Sequence, residues 1–295
     1  MVVRFYRYIV GFLVLVVFGI GVSIFQIPDS NFRIIACDVG QGDAILITYR
    51  NLQILTDGGP NNKVIDCLSR HTPFWDREIE LVILTHPDAD HSTGLIDVIK
   101  RYNVGALLEN GVDSGTQVYK ALEKEVGGRG INVIKSTIGM KLRLGMIYLD
   151  ILHPSNDFID SKTNNYSIVT LVKYKEFEAL FTGDIEDSVS DLIARNWTKG
   201  TIEYIKVPHH GSKNGLSENL IKVSMPKLAV VSLGKNSYGH PHEKILQMLN
   251  DKKINIYRTD LEGDIEVVTD GKKYWVVDLS RSYREERGIL TPVEF

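Results

Sequence analysis

The segment Thr85-His86-Pro87-Asp88-Ala89-Asp90-His91 places two imidazoles and two carboxylates close together, directly behind the apolar run Leu81 to Leu84. In an extended chain alternate residues point the same way, so His86, Asp88 and Asp90 can face one side while a turn brings His91 round beside them. Pro87 resists helix formation at this point. Imidazoles and carboxylates together are borderline-to-hard ligands for a divalent cation, and this density exceeds what one tetrahedral ion takes from one segment. A pair of ions is the natural reading. One such side chain alone would be a solvated loop residue; four of them behind a buried strand point to a metal site. Asp184 in LFTGDIE ends a second apolar run and could bridge two cations through its two oxygens, whereas an isolated Asp at such a junction would cap the next helix. His209 and His210 in KVPHHGS supply further imidazole, at least one as a ligand and the other to orient, transfer a proton or pack. Two ions ~3.5–4 Å apart lower the pKa of bound water toward ~7 and hold both the attacking oxygen and a phosphodiester oxygen.

These clusters all follow apolar strands. RIIACDV, AILITYR and LQILTD read as a strand meander with Gly-rich turns, after which strands and helices alternate. NKVIDCLSRH, about Ser92 to Arg101, Gln117 to Val126, and stretches near 186–196, 217–223 and 243–250 read as helices. Strands are expected at LVILT, VGALLE, 131–135, 141–152, 167–174, 177–182, IEYIKVP, KLAVVSL, INIYRT, DIEVVTD and KYWVVDL. Meanders in both halves with helices after them predict two mixed sheets packed face to face with helices outside, an α/β sandwich of αββα type. The polar clusters would then meet at one edge.

HPDADH, TGD and PHHGS resemble the successive motifs of the metallo-β-lactamase fold. More closely, DVGQGDAILI, TDGG, THPDADHSTG, LFTGDIE, KVPHHGSKNG, VVSLGKNSYGHPH and YRTDLEGDIEV resemble the extracellular metallo-β-lactamase-like domain of ComEC competence proteins. The motifs come in order from about Phe32 to Leu279. The resemblance implies a hydrolase with nucleic acid as substrate, one metal held by His86, Asp88 and Asp184, and a second held by Asp90, His91, Asp184 and a histidine of the pair. The fold's usual pattern is H-x-H-x-D-H, and here Asp88 stands at the second histidine. Where a third imidazole for the first metal would lie, the chain has TNNYSIVTLV, so Asn164 or Asn165 occupies that region and His153 is too far upstream. The first metal is therefore expected to be weakly held. The extra carboxylate shifts preference toward Mn or Mg without excluding Zn. It also makes β-lactams poorer candidates than phosphodiesters.

Asp90 and His240 are the expected catalytic residues, His240 as a partner for phosphate or for the leaving oxygen. Lys213 is a second candidate for phosphate contact, with a solvated surface lysine as the alternative. Free amides at a helix start near Ser92 and Thr93 could face an anion. Asp57 in TDGGP would fix a ligand imidazole from behind, together with Asn165, while Gly58 and Gly59 let backbone approach closely. The rival activities are cleavage of another phosphoester, such as teichoic acid or phosphocholine, and a non-catalytic binding role.

The chain has 295 residues, 43% of them hydrophobic, and a net charge of -3, which gives no global basic footprint for nucleic acid. Any polyanion contact must be local. Arg4 and Arg7 precede an uncharged apolar run from Ile9 to Phe25, long enough to cross ~30 Å of hydrocarbon at ~1.5 Å per residue. The arginines place the N-terminus in the cytoplasm. A signal peptide cut near Gly21-Val22-Ser23 is the alternative, and both send the remainder outside. The expected organisation is an anchor or signal segment over 1–30, the hydrolase domain over 31–282 and a tail over 283–295. At most one span is expected, so DNA translocation is not carried over from the ComEC resemblance. Cys37 reads first as a small buried apolar residue, with a disulfide to Cys67 as the alternative.

Overall fold

The structure, a computed structural model, describes residues 2–25 and 29–278. A helix, α1 (Val2–Phe25), is followed by a meander of β1 (Phe32–Ala36), β2 (Ile45–Tyr49) and β3 (Leu52–Thr56). Then come α2 (Lys63–His71), β4 (Glu78–Leu84), α3 (Ala89–Arg101), β5 (Asn103–Glu109), α4 (Gln117–Arg129) and β6 (Asn132–Lys135). The second half runs β7 (Lys141–Leu144), β8 (Ile147–His153), β9 (Val169–Tyr174), β10 (Phe177–Phe181), α5 (Asp187–Arg195), β11 (Tyr204–Lys206), α6 (Glu218–Ser224), β12 (Leu228–Val231), α7 (Glu243–Asp251), β13 (Asn255–Arg258) and the short α8 (Thr259–Glu262). The last strands, β14 (Ile265–Thr269) and β15 (Tyr274–Asp278), return to the first sheet.

Two mixed sheets result, ordered β15-β14-β1-β2-β3-β4-β5-β6 and β13-β12-β11-β10-β9-β8-β7. The period-two alternation of each strand divides its residues between two cores. Phe32, Ile34, Ile83, Ile151, Phe181 and Val230 fill the space between the sheets. Ile35, Leu55 and Val82 turn outward against Leu68, Leu95 and Val98 of α2 and α3. On the other sheet Leu180, Ile205 and Ala229 meet Ile193, Leu220 and Leu249 from α5, α6 and α7. This is the mixed α/β sandwich that the strand and helix pattern predicts. The stretch 141–152, expected as one strand, folds as the β7/β8 hairpin because Gly145 takes a left-handed φ of 59° at its turn.

Direction of the strands sets the functional edge. β3 pairs parallel with β4, and β10, β11 and β12 run parallel in the second sheet, so their following loops emerge at the strands' C-terminal ends. β2 runs antiparallel to β3, which brings the loop before it to the same edge.

Cys37 and Cys67 are both buried and form a disulfide that ties the end of β1 to α2. The first reading of Cys37, as a plain buried apolar residue, is corrected by this pairing. The described side chains of α1 are exposed, Tyr8, Leu15 and Phe18 among them. Among the described residues no helix is long and apolar enough to cross a membrane. Part of the Ile9 to Phe25 run and the whole 283–295 tail lie outside the residues whose side chains are described.

Candidate metal centre

Asp90, His91, Asp184 and His210 converge from three loops, with one donor atom of each within 4.8 Å of the others. Asp90 and His91 lie in the first turn of α3, Asp184 follows β10, and His210 follows β11 in a short 3-10 turn. The Asp184 Oδ2 atom is 3.4 Å from His91 Nε2 and 3.3 Å from His210 Nε2, and the latter is also 3.3 Å from Asp90 Oδ2. None of these approaches has hydrogen-bond geometry: Nε2 of His86, His91 and His210 are all buried without a hydrogen-bond partner. Three orphaned imidazole nitrogens beside two carboxylates are costly in a protein interior and are what a divalent cation would satisfy. The donor set fits a metal ion.

The opposite edge of each ring is fixed. His91 Nδ1 lies 2.8 Å from Asp57 Oδ2, and His210 Nδ1 lies 2.8 Å from the Ser232 carbonyl oxygen. Both acceptors require a proton on Nδ1, which leaves Nε2 as the donor toward an ion. Asp57 also accepts from the Thr85 amide at 2.8 Å and the Thr85 hydroxyl at 2.7 Å. The Thr85 oxygen in turn lies 3.1 Å from His86 Nδ1, which Ser167 Oγ also approaches at 3.3 Å. Asp57 thus orients two rings, one directly and one through Thr85. Its backbone takes a φ of 59°, and the glycines after it allow close packing, because a Cβ on Gly58 would meet the Leu95 amide at 2.5 Å.

The electrostatics of the cluster without an ion are self-compensating. Burial pushes Asp184 up, but His210, His91 and Lys206 outweigh it and hold its carboxyl well below the usual range. Burial likewise raises Asp90, and His210 and His91 bring it down to about 2. His91 and His210 are pushed down by burial, yet Asp184 in each case, with Asp57 beside His91 and Asp43 beside His210, lifts both well above an ordinary imidazole. Their protons stand where an ion's charge would sit. His86 is lowered by burial and by the charge on His91, and is neutral.

Several expected positions fall elsewhere. Asp88 takes the N-cap position of α3 without a side-chain capping bond, and the helix begins at Ala89 rather than near Ser92; the bend ends the extended alternation and leaves the Asp88 side chain 35% exposed and 3.7 Å from His86 Nε2. His86 and Asp88 form a loose pair outside the four-residue cluster. The amide of Ser92 donates to the Asp88 carbonyl, and so does that of His91, so neither faces an anion. His209 adopts a left-handed φ of 50° that turns its ring away from the cluster toward Asn164, at 3.3 Å, and toward His240. His210 is the member of the pair inside the cluster. Asn165 holds Asp160 and the Glu186 amide, and its carbonyl meets His153, so it supports the 163–166 turn and touches no clustered imidazole. Lys213 lines a polar cleft with Asp187, Asp191, Ser217 and Lys244, and among the described residues it forms no ion pair with the cluster. His240 is half-buried on the rim with its Nδ1 buried and unpartnered, its ring centroid 5.6 Å from that of His209. Burial, followed by the charges on His209 and His210, lowers its pKa.

Two buried residues escape the sequence reading. Lys206 and Asp43 form an ion pair at the floor of the cluster, and Lys206 also contacts Asp184. The available signals were a lysine between Ile205 and Val207 in an otherwise apolar strand and an aspartate two residues before β2.

No protein-family model matches the chain. Over 263 residues it is 31% identical to ComE operon protein 3 of Bacillus subtilis (strain 168), covering 82% of this chain and 34% of that protein. Over 247 residues it is 28% identical to Recombination protein 2 of Haemophilus influenzae, covering 82% of this chain and 29% of that protein. The chain therefore spans about a third of the length of these curated relatives. Among solved structures, the metallo-β-lactamase fold protein YhfI from Bacillus subtilis aligns over 81% of this chain and 100% of that chain, with a TM-score of 0.55 at 10% identity. The chain has the metallo-β-lactamase fold, and the ComEC resemblance read from its motifs is borne out.

Proposed function

We propose that this metallo-β-lactamase-fold chain is a divalent-metal-dependent phosphodiesterase, working with two ions, that acts outside the cytoplasm with DNA as its favoured substrate. The observation that carries the reading is the pair of buried, unpartnered Nε2 atoms of His91 and His210 facing Asp90 and Asp184, with the equally unpartnered Nε2 of His86 next to Asp88. Bound there, divalent ions would polarise the phosphate and supply an activated water. The chain's own contribution is orientation. Asp57, Thr85, Ser167 and Ser232 hold the rings from behind, so the donor atoms are in place before an ion arrives.

His240 stands on the rim, neutral in the free protein, and a phosphate seated beside it would favour its protonated form. That makes it the group to hydrogen-bond the leaving oxygen. DNA is favoured by the kinship with ComE operon protein 3 and Recombination protein 2. An extracytoplasmic place is supported by the Cys37–Cys67 disulfide. The intact donor set speaks against a purely binding role.

The test compares the metal-loaded chain and its Asp90→Ala variant on single-stranded DNA, on bis(p-nitrophenyl) phosphate and on a phosphocholine ester. Cleavage of DNA by the parent chain and loss of at least ~100-fold in the variant support the reading. Full activity in the variant sinks it, and turnover of the phosphocholine ester alone would move the substrate to that class.

A further inference from the structure

The strands that run toward the metal cluster all begin at the opposite edge, and that edge has a composition of its own. It is made of the β2/β3, β7/β8, β9/β10 and β14/β15 turns and the loops leading into β4, β5, β12 and β13. Turns of the two sheets touch there: Lys175 Nζ donates to the Asp270 carbonyl oxygen at 2.7 Å, and a Cβ on Gly145 would lie 3.6 Å from Leu52. Arg50, Arg77, Arg143 and Lys175 sit on this edge, and each lies over a tyrosine ring, those of Tyr49, Tyr102, Tyr148 and Tyr174, at 4.9–5.5 Å from the centroid. A ring face holds a cation without neutralising it. Arg101 and Lys227 add exposed charge. Of the carboxylates here, Asp76 is buried, Asp270 accepts the Lys272 and Lys273 amides, and Glu176 lies 3.9 Å from Lys272.

Large apolar side chains stand among these cations. Phe74 is 57% and Trp75 43% exposed in the loop leading into β4, and Met146 and Met225 are exposed as well. Met225, Lys227, Lys252 and Lys253 rim a cavity of about 420 Å³ whose floor includes Ile221 and Ile254. The metal edge is the reverse, with Asp113, Asp157 and Asp187 exposed on its loops. A net charge of -3 conceals this division. Cations beside exposed aromatic rings match the headgroup layer of a membrane, where phosphates take the charge and rings lie at the apolar boundary. A nucleic acid would take the cations and leave the apolar floor uncovered. We propose that this edge docks on an anionic phospholipid bilayer, with Phe74 and Trp75 at headgroup depth and the metal edge turned to the bulk. It is a surface contact and needs no spanning helix. β1 begins here too, so the chain enters the domain from α1 at the lipid side.

The experiment attaches an environment-sensitive fluorophore to the full chain through Asn51→Cys, in the β2/β3 turn, or through Asp113→Cys, in the loop after β5 on the metal edge. Each labelled protein is titrated with vesicles of phosphatidylglycerol and phosphatidylcholine, and with phosphatidylcholine alone. The label at 51 should shift to the blue with the anionic vesicles and the label at 113 should not. Each cation near an anionic surface strengthens binding ~5-fold, so Arg77→Gln/Arg101→Gln should need ~25-fold more lipid for the same shift. Phe74→Ser/Trp75→Ser should need at least ~10-fold more. Circular dichroism verifies folding, and either pair decides if the other does not fold. A shift at 113 but not at 51, a shift at neither, equal binding to phosphatidylcholine alone, or an unmoved lipid requirement in a folded pair overturns the proposal. So does a label at 51 that responds to a single-stranded oligonucleotide and not to vesicles, which would make the edge a nucleic-acid surface.

Discussion

Asp57→Asn changes one atom of a buried carboxylate, and the contacts of that carboxylate fix the consequences. Asparagine tolerates the left-handed φ of 59° that this position requires, and its carbonyl oxygen can keep the Thr85 amide. Its NH2 group cannot accept the Nδ1 proton of His91, now given up at 2.8 Å. The neutral ring that an ion needs then carries its one proton on Nε2, the atom that faces Asp184. The Thr85 hydroxyl, no longer donating to Asp57, is free to donate to His86 Nδ1 and favours the same inversion there. Loss of such an outer partner typically weakens a metal site by about 10–100-fold, or about 1.4–2.7 kcal/mol. The apo protein loses one buried acceptor, about 1–3 kcal/mol, equivalent to about 2–12 °C in a domain of this size. Asp57→Ala removes all three interactions and should melt lower still. The assay is Zn2+ or Mn2+ titration by calorimetry beside thermal melts of apo and loaded protein. Parent-like ion affinity in a folded Asp57→Asn protein would refute the assignment of Asp57 as the residue that sets the rings.

The charges and the covalent link lead to two further outcomes. His91 and His210 have raised folded pKa values, so the stability they confer is full below about 6.5 and is lost as pH rises through those raised values; the apo chain should melt progressively lower above neutrality, and ion binding at pH 7 should release about two protons. Calorimetry in two buffers of different ionisation enthalpy counts them, and a value near zero contradicts the assignment of both rings. The Cys37–Cys67 link closes a loop with a sequence separation of 30, for which chain entropy gives about 4 kcal/mol, so Cys37→Ala/Cys67→Ala should lower the midpoint by roughly 8–16 °C; an unchanged melt would refute the link.

Much of the sandwich is legible in the sequence because its signals are periodic: strands such as FRIIA and FEALF alternate between two cores, and the loops between them carry Gly and Asp. The chemistry is legible where donors crowd one loop, as in HPDADH. It is less so where the decision depends on a bend. A helix starting at Ala89 moves Asp88 to the rim, and two consecutive left-handed residues decide that His210 faces in while His209 faces Asn164. Neither turn has a sequence signature strong enough to separate adjacent residues of the same type. Asp43 and Lys206 lie at the far end of that scale. Each has an ordinary residue type for a loop or a strand end, and only the contact between two sheets, over more than a hundred residues of chain, makes them a pair.

If a divalent ion held by Asp90, His91, Asp184 and His210 enables this chain to cleave phosphodiesters, removing and restoring that ion must switch cleavage off and on. The decisive assay is cleavage of a labelled single-stranded oligonucleotide by the purified chain, first stripped of metal with a chelator and then reloaded with Mn2+ or Zn2+. The stripped protein should not cleave, reloading should restore cleavage, and reloading the His210→Ala protein should restore none. Cleavage that persists in the chelator, or a fully reloaded chain that cleaves no phosphodiester, would contradict the proposed metal-dependent chemistry.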